Sequence, residues 1–351
     1  MRVSRQICVG NVKMGGGAPI SVQSMCNTKT ADIKATVSQI NNLANVGCDI
    51  IRVAVPDMDA ARAISEIKKQ INIPLVADIH FDYRLAIASA EFGADKIRIN
   101  PGNIGGKDRV KEVVKVCTER NIPIRVGVNS GSLEKDLLEK FGNTSQALAQ
   151  SALRSCSLLT DEGFENICIS IKSSDVFKTI ETYRTVAEKC DFPLHLGVTE
   201  AGSADIGTIK SAAAMGALLV DGIGDTIRVS LTDEPSKEII AAKKILKALD
   251  LNRQCINIVS CPTCGRTRVD LISIAREIED KLSSFKSKIT VAVMGCAVNG
   301  PGEAREADLG VACGDGEGLI FRHGVIICKV PENELVQRLI KEVEDFTGEK
   351  V

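Results

Sequence analysis

The chain has 351 residues, enough for two hydrophobic cores, and its 44 Lys and Arg nearly balance its 45 Asp and Glu. No basic run, aromatic-interleaved cationic stripe or acidic tail points to nucleic acid or a membrane surface, and no apolar stretch is long enough to span a bilayer. Without a basic-then-apolar leader the chain reads as cytoplasmic, where its 13 cysteines stay reduced and any clustered ones read as metal or redox ligands.

Short β-rich runs alternate with amphipathic helical stretches over most of the chain. In order, strands are expected at Ile20–Met25, Ile50–Val55, Leu75–Ile79, Lys96–Asn100, Ile124–Asn129, Ile167–Lys172, Leu194–Thr199 and Thr226–Leu231. Helices are expected between them at Ala31–Val46, Asp59–Gln70, Arg84–Phe92, Lys107–Arg120, Ser145–Glu162, Val176–Cys190 and Asp205–Met215. This spacing fits an α/β fold of the (β/α)8 TIM-barrel type. A doubly wound open sheet is the alternative, but the Gly-x-Gly-x-x-Gly turn that would favour it is missing after the first strand.

A helix at Lys237–Leu249 closes the barrel, and Asp250–Cys255 reads as a linker. The pattern then changes to a helix at Val269–Ser284, a strand at Ile289–Met294, a Gly-rich hairpin region at Leu309–Val330 and a helix at Glu332–Phe346. The expected domains are a barrel at 1–250 and a smaller α+β unit at 251–351.

The barrel strands share a quasi-repeat in which a cation is flanked by branched apolar residues: Arg52, Arg98, Arg125 and Arg228, with Lys172 a looser relative. The apolar neighbours want the helix layer, so alternation turns the cations inward. Unpartnered buried charge costs several kcal/mol per ion, so these side chains need counter-charge. Asp78, Glu200, Asp221 and Asp225 are possible internal partners, too few and too scattered to neutralise the set. A diphosphate would complete it, because Arg grips phosphate oxygens bidentately. The competing reading pairs the cations with strand-end carboxylates, or buries only their stems on the helix-facing side. Asn100 and Asn129 follow two of the arginines, as possible ligand donors or as turn formers. His80, after Asp78, could touch ligand, while His195 reads as a core or rim histidine. Glu200 stands at a strand end, where a carboxylate can act as acid or base.

Most cysteines, such as Cys48, Cys117, Cys168 and Cys190, lie singly in apolar segments and read as small buried hydrophobes. The exception is Cys261-Pro262-Thr263-Cys264 with Gly295-Cys296. Soft thiolates select iron–sulfur clusters or zinc. A thioredoxin-type pair is weaker, because no strand–helix context is evident around it. A structural zinc site wants four Cys or His ligands, and only three thiols are well placed. The Gly-rich turn after Cys296 could bring the Glu303 carboxylate to the same metal, and three thiolates with one oxygen suit a 4Fe–4S cluster with one replaceable iron.

Four segments carry a resemblance: Val9-Gly10-Asn11 through Gly15-Gly16-Gly17 to Met25, Arg98-Ile99-Asn100-Pro101-Gly102-Asn103, Cys261-Pro262-Thr263-Cys264-Gly265-Arg266, and Gly295-Cys296-Ala297-Val298-Asn299-Gly300-Pro301-Gly302-Glu303-Ala304. With them the whole chain resembles the bacterial 4-hydroxy-3-methylbut-2-enyl diphosphate synthases, in their two-domain form. The resemblance implies reductive ring opening and dehydroxylation of 2-C-methyl-D-erythritol 2,4-cyclodiphosphate, with electrons from ferredoxin or flavodoxin. It also implies that Cys261, Cys264, Cys296 and Glu303 hold the cluster. Arg52, Arg125, Lys172 and Arg228 would grip the diphosphate, Asn129 and Ser230 would assist, and Glu200 would handle a proton. A head-to-tail homodimer is implied as well. A zinc-stabilised phosphate-binding lyase using Lys172 as an amine, or a non-enzymatic sensor of the diphosphate, are the alternatives.

Overall fold

The computed structural model describes residues 2–251, 256–296 and 305–350, which fall into two compact units, Met1–Leu249 and Asp250–Val351. The first unit opens on a hairpin of β1 (Ile7–Val9) and β2 (Val12–Met14). Eight parallel strands follow: β3 (Ser21–Met25), β4 (Ile50–Ala54), β5 (Leu75–Asp78), β6 (Lys96–Ile99), β7 (Ile124–Asn129), β8 (Ile167–Lys172), β9 (Leu194–Leu196) and β10 (Thr226–Ile227). β10 pairs back to β3 and closes the barrel. The connecting helices are α1 (Ile33–Val46), α2 (Met58–Lys68), α3 (Tyr83–Glu91), α4 (Lys107–Glu119), α5 (Lys135–Phe141), α6 (Ser145–Thr160), α7 (Val176–Lys189), α8 (Ala204–Val220) and α9 (Pro235–Ala248).

Local chemistry explains where these elements start. Asp32, Asp57, Asp82, Asp175 and Thr144 each accept a backbone N–H in the first turn of the helix they precede. Three aspartates one residue ahead of a strand do the same for the sheet. Asp49 accepts from Val22 N at 2.7 Å, Asp95 from Leu75 N at 2.7 Å and Asp225 from Leu194 N at 2.8 Å. Each ties the foot of one strand to its neighbour and so fixes register. The β1–β2 hairpin packs Ile7, Val9 and Met14 onto Ile50, Val76 and Cys168. An apolar plug therefore seals the N-terminal end of the barrel, leaving the C-terminal end for chemistry.

The second unit is a five-stranded sheet of β11 (Asn257–Ser260), β12 (Thr290–Met294), β13 (Leu309–Cys313), β14 (Glu317–Arg322) and β15 (Val325–Pro331), in that order. The first three strands are parallel and the last two antiparallel. α10 (Leu271–Leu282) and α11 (Leu335–Thr347) share one core with it, around Ile278, Leu282, Val291, Val293, Val311 and Leu339.

All eight expected barrel strands are present. β9 and β10 end early, because the chain leaves the ladder there to build the rim. Four elements carried no readable period: the two three-residue strands of the hairpin, the seven-residue α5, and β11, a largely exposed edge strand. β11 has a consequence for the cysteines. Cys261-Pro262-Thr263-Cys264 does follow a strand and precede a helix, against expectation, although seven positions separate Cys264 from the first residue of α10. Of the expected linker, residues 252–255 lie outside the described residues.

Candidate active site

Register sets Arg98 level with Arg125, and Ser170 level with His195 and Thr226. The face opposite the branched apolar residues therefore carries an unusually polar set, whereas barrel interiors are ordinarily filled with Val, Ile and Leu. Arg52, Arg98 and Arg125 are all buried, as expected from alternation, and the strands add a cation that the sequence reading passed over. Lys96, two residues before Arg98 and hence on the same face, is fully buried.

Asp78 sits between two of these cations, its Oδ2 3.8 Å from Arg52 Nε and its Oδ1 3.2 Å from Arg98 Nη1. Arg98 Nη2 also donates to the Gly127 carbonyl at 3.4 Å, and a Cβ at Gly127 would collide with that guanidinium. Arg125 Nη1 donates to Gln23 Oε1 at 3.0 Å. Arg228 turns to Glu238 on α9, Nη2 to Oε2 at 3.4 Å. Of the four carboxylates expected as internal partners, only Asp78 takes that role. Asp221 pairs with Arg184 on the surface, Asp225 pins the opposite end of the barrel, and Glu200 is exposed with no ion pair among the described residues.

Part of the strand-end pairing reading is thus correct, for Arg52 and Arg98 with Asp78, while Arg228 pairs with a helix carboxylate. It leaves six cations, Arg52, Lys96, Arg98, Arg125, Lys172 and Arg228, facing two carboxylates, Asp78 and Glu238. Lys96, Arg125 and Lys172 form no ion pair among the described residues. Lys96 Nζ, Arg125 Nε and Nη2, and Gln23 Nε2 are buried donors with no partner among the described residues. Each such group costs about 1–3 kcal/mol, more when charged.

Burial dominates the electrostatics. It pushes Lys96 down to about 7 and Lys172 down to about 6, with the neighbouring arginines adding to the shift. Burial likewise pushes Arg125 down to about 10 and holds His195 well below the usual imidazole range. Burial would raise the Asp78 carboxyl, but the charge of Arg52, a hydrogen bond from His80 and the charge of Arg98 outweigh it and hold it well below the carboxylate range. The lysine shifts carry a stability consequence. A lysine whose folded value is depressed binds more protons unfolded than folded, so stability rises with pH between the two values. The ligand-free protein should therefore melt higher at pH 9 than at pH 6. Inorganic diphosphate should flatten the slope by recharging both lysines, and a Lys96→Met/Lys172→Met variant should lose it. A series of melts across that range checks all three.

The other expected residues gather at the C-terminal ends of the strands. Asn129 and Lys172 end β7 and β8 and lie level with each other. His80 is exposed just past β5, with Nε2 3.5 Å from Asp78 Oδ2. Ser230 is half-buried in the rim segment after β10. Asn100 makes the turn its sequence context suggested, accepting from Gly102 N at 3.1 Å. Glu200 has φ 55°, in the left-handed region that an unbranched acidic residue seldom occupies, and such strain concentrates at functional sites.

In the second unit, Cys261 and Cys296 leave the C-terminal ends of adjacent parallel strands, β11 and β12, joined by α10 as a βαβ crossover. Gly295 N donates to Cys261 Sγ at 3.2 Å. The turn carrying Cys264 is tied by Cys264 N to Thr267 Oγ1 at 3.2 Å and by Arg268 N to the Gly295 carbonyl at 3.4 Å. A Cβ on Gly295 would come within 2.8 Å of Leu271 Cδ2 and 3.1 Å of Thr267 Cγ2, so a larger residue would have to displace those side chains. The Arg266 backbone amide hydrogen-bonds the exposed Cys264 thiol and holds it below the usual thiol range. Among the described residues, no three His, Cys, Asp or Glu side chains converge as ligands of a single metal ion. Glu303 lies outside the described residues.

The model of the GcpE TIM-barrel domain matches residues 4–243, and that of the GcpE protein C-terminal domain matches residues 257–345. The chain belongs to the GcpE family. A GcpE relative from Geobacter sulfurreducens, named 4-hydroxy-3-methylbut-2-en-1-yl diphosphate synthase (flavodoxin), is 57% identical over 348 residues, 99% of each chain. A Clostridium perfringens relative of the same name is 59% identical over 342 residues, 97% of this chain and 98% of its own. Among solved structures, 3-dehydroquinate dehydratase from Geobacillus kaustophilus superposes with a TM-score of 0.50 at 13% identity, covering 71% of this GcpE chain and 98% of that protein, a likeness of fold alone.

Proposed function

We propose that this GcpE chain converts 2-C-methyl-D-erythritol 2,4-cyclodiphosphate to 4-hydroxy-3-methylbut-2-enyl diphosphate, with reduced flavodoxin as electron donor. Two full-length relatives at 57% and 59% identity carry the name of that synthase. The observation that supports the substrate class is the excess of buried barrel cations over carboxylates.

On this reading Arg52, Arg125, Lys172 and Arg228 bind the diphosphate, and Arg98, level with Arg125 and paired with Asp78, braces them. Asn129, Ser230 and His80 stand where they can hydrogen-bond ligand oxygens. When the ring C–O bond breaks, negative charge grows on the phosphate oxygen, and guanidinium groups fixed in advance in a low-dielectric barrel stabilise it. The departing hydroxyl leaves as water, which requires a proton, and on this reading Glu200 at the rim takes one up from solvent and passes it on.

The donor set of the second unit fits a 4Fe–4S cluster. Thiolates of such a cluster ligate separate irons and so need not meet at a point, and N–H donation to sulfur, as from Gly295, is one of the ways proteins tune its potential. Cys261, Cys264, Cys296 and Glu303 would hold it, and it would supply electrons one at a time together with a Lewis-acidic iron. The resemblance further implies a head-to-tail homodimer in the cytoplasm. The zinc-stabilised lyase finds no support among the relatives.

Anaerobic purification with iron and sulfide analysis, followed by turnover of the cyclodiphosphate with reduced flavodoxin, tests cofactor and reaction together. A Glu303→Ala chain should keep three thiolate ligands yet lose turnover or release its cluster. A colourless zinc protein, or a fully active and stable Glu303→Ala chain, would contradict the assignment.

A further inference from the structure

The buried stripe of α9 contains one residue that does not belong in an apolar core. Glu238 recurs with Ala241, Ala242 and Ile245 at helical spacing, and it is 5% exposed. A carboxylate so placed must be paired. It accepts from Leu231 N at 3.1 Å and from Ser24 Oγ at 3.3 Å, and faces Arg228 Nε and Nη2 at 3.4 Å. One side chain thereby joins three segments: the wall strand β3, the residue after β10, and the rim beyond it.

The side-on approach to Nε and Nη2 fixes the direction of the guanidinium. Arg228 Nη1 points to Met25 Sδ at 3.6 Å, the sulfur that also receives Arg52 Nε at 3.0 Å and Nη2 at 2.8 Å. Two guanidinium groups thus converge on one weak neutral acceptor. Each has its own carboxylate behind it, Asp78 for Arg52 and Glu238 for Arg228. Without Glu238, repulsion from Arg52 would drive the flexible Arg228 side chain toward solvent, and the segment holding Ser230 would lose its anchor at Leu231.

We propose that Glu238 is a positioning residue, holding Arg228 and the rim segment from Arg228 to Leu231 in the arrangement that receives the anionic end of the substrate. The proposal rests on the diphosphate reading of the barrel and adds to it a residue that touches no ligand. Because it acts on binding geometry, it predicts a specific kinetic pattern.

The test is a double-mutant cycle on the cluster-loaded enzyme. Glu238→Gln keeps one acceptor oxygen, for Leu231 N, leaves the Ser24 hydroxyl to accept from the amide NH2, and removes the charge facing Arg228. It should raise KM for the cyclic diphosphate about tenfold and change kcat less than about twofold, and in an Arg228→Lys background it should add less than about twofold. Glu238→Asp, which keeps the charge with a shorter reach, should fall between Glu238→Gln and the parent. If Glu238→Gln does not fold, the same cycle read with Glu238→Asp decides. Additive effects, a kcat loss without a KM change, or an unchanged KM would overturn the role of Glu238. An unchanged KM in Arg228→Lys itself would instead overturn the assignment of Arg228 to the substrate.

Discussion

Asp78→Asn should destabilise the protein by about 3–5 kcal/mol, the effect of removing one partner from a buried ion pair and leaving the other charge uncompensated. Asp78 is 2% exposed and is the carboxylate that faces both Arg52 and Arg98. An amide of the same shape keeps the packing but supplies no charge. The loss should appear as a lower denaturant midpoint with an unchanged slope, since the surface exposed on unfolding is the same. Added inorganic diphosphate should recover part of it, because a bound anion restores the missing counter-charge. A midpoint within error of the parent would mean that the guanidinium groups are neutralised by something other than Asp78.

Arg125→Met should act in the opposite sense on stability and far more strongly on activity. Arg125 is fully buried and donates through Nη1 to Gln23, while Nε and Nη2 have no partner among the described residues. An unbranched apolar side chain removes a desolvated charge that has no ion-pair partner among the described residues, and burying such a charge costs several kcal/mol. The opposing loss strands the buried Gln23 Oε1, at about 1–3 kcal/mol. The ligand-free variant should therefore melt at or above the parent, while turnover falls at least ~10²-fold through loss of a preorganised cation. A variant that melts well below the parent would show that Arg125 serves the fold and not a ligand. Together the two substitutions separate a charge the barrel needs for itself from one it carries at a cost.

Much of the barrel could be read directly from the sequence, because period-two alternation of Ile and Val around a cation is a strong local signal. It located Arg52, Arg98, Arg125 and Lys172 on one face, and applied one step further along β6 it would have found Lys96 as well. Glu238 had a signal too, a lone acid on the apolar stripe of α9. Its partners, however, come from β3 and from beyond β10, a long-range pairing that no local period encodes. The hairpin strands and β11 are three or four residues long, too short to show a repeat. Missing β11 hid the βαβ unit that brings Cys261 and Cys296 to neighbouring strand ends. The residues alone favoured an iron–sulfur cluster held by three thiolates and Glu303, but the reaction came from resemblance over the whole chain, since spacing names no substrate.

The aspartates show a different limit. Asp49, Asp95 and Asp225 look in sequence like any acid before a strand, and Asp225 was a candidate counter-ion for the cations. In the fold all three bind backbone amides at the sealed end of the barrel. Which end of a strand an acid occupies decides whether it fixes register or meets substrate.

The central claim is that the unneutralised cations of the barrel exist to receive the substrate's diphosphate. Calorimetric titration of the cluster-loaded protein with 2-C-methyl-D-erythritol 2,4-cyclodiphosphate at pH 7.5, in two buffers of different ionisation enthalpy, measures this directly. Saturable binding with net proton uptake is expected, as Lys172 and Lys96 regain their charge beside the anion, with that uptake lost in a Lys96→Met/Lys172→Met variant. Absence of binding, or binding with no proton exchange in the parent, would contradict it.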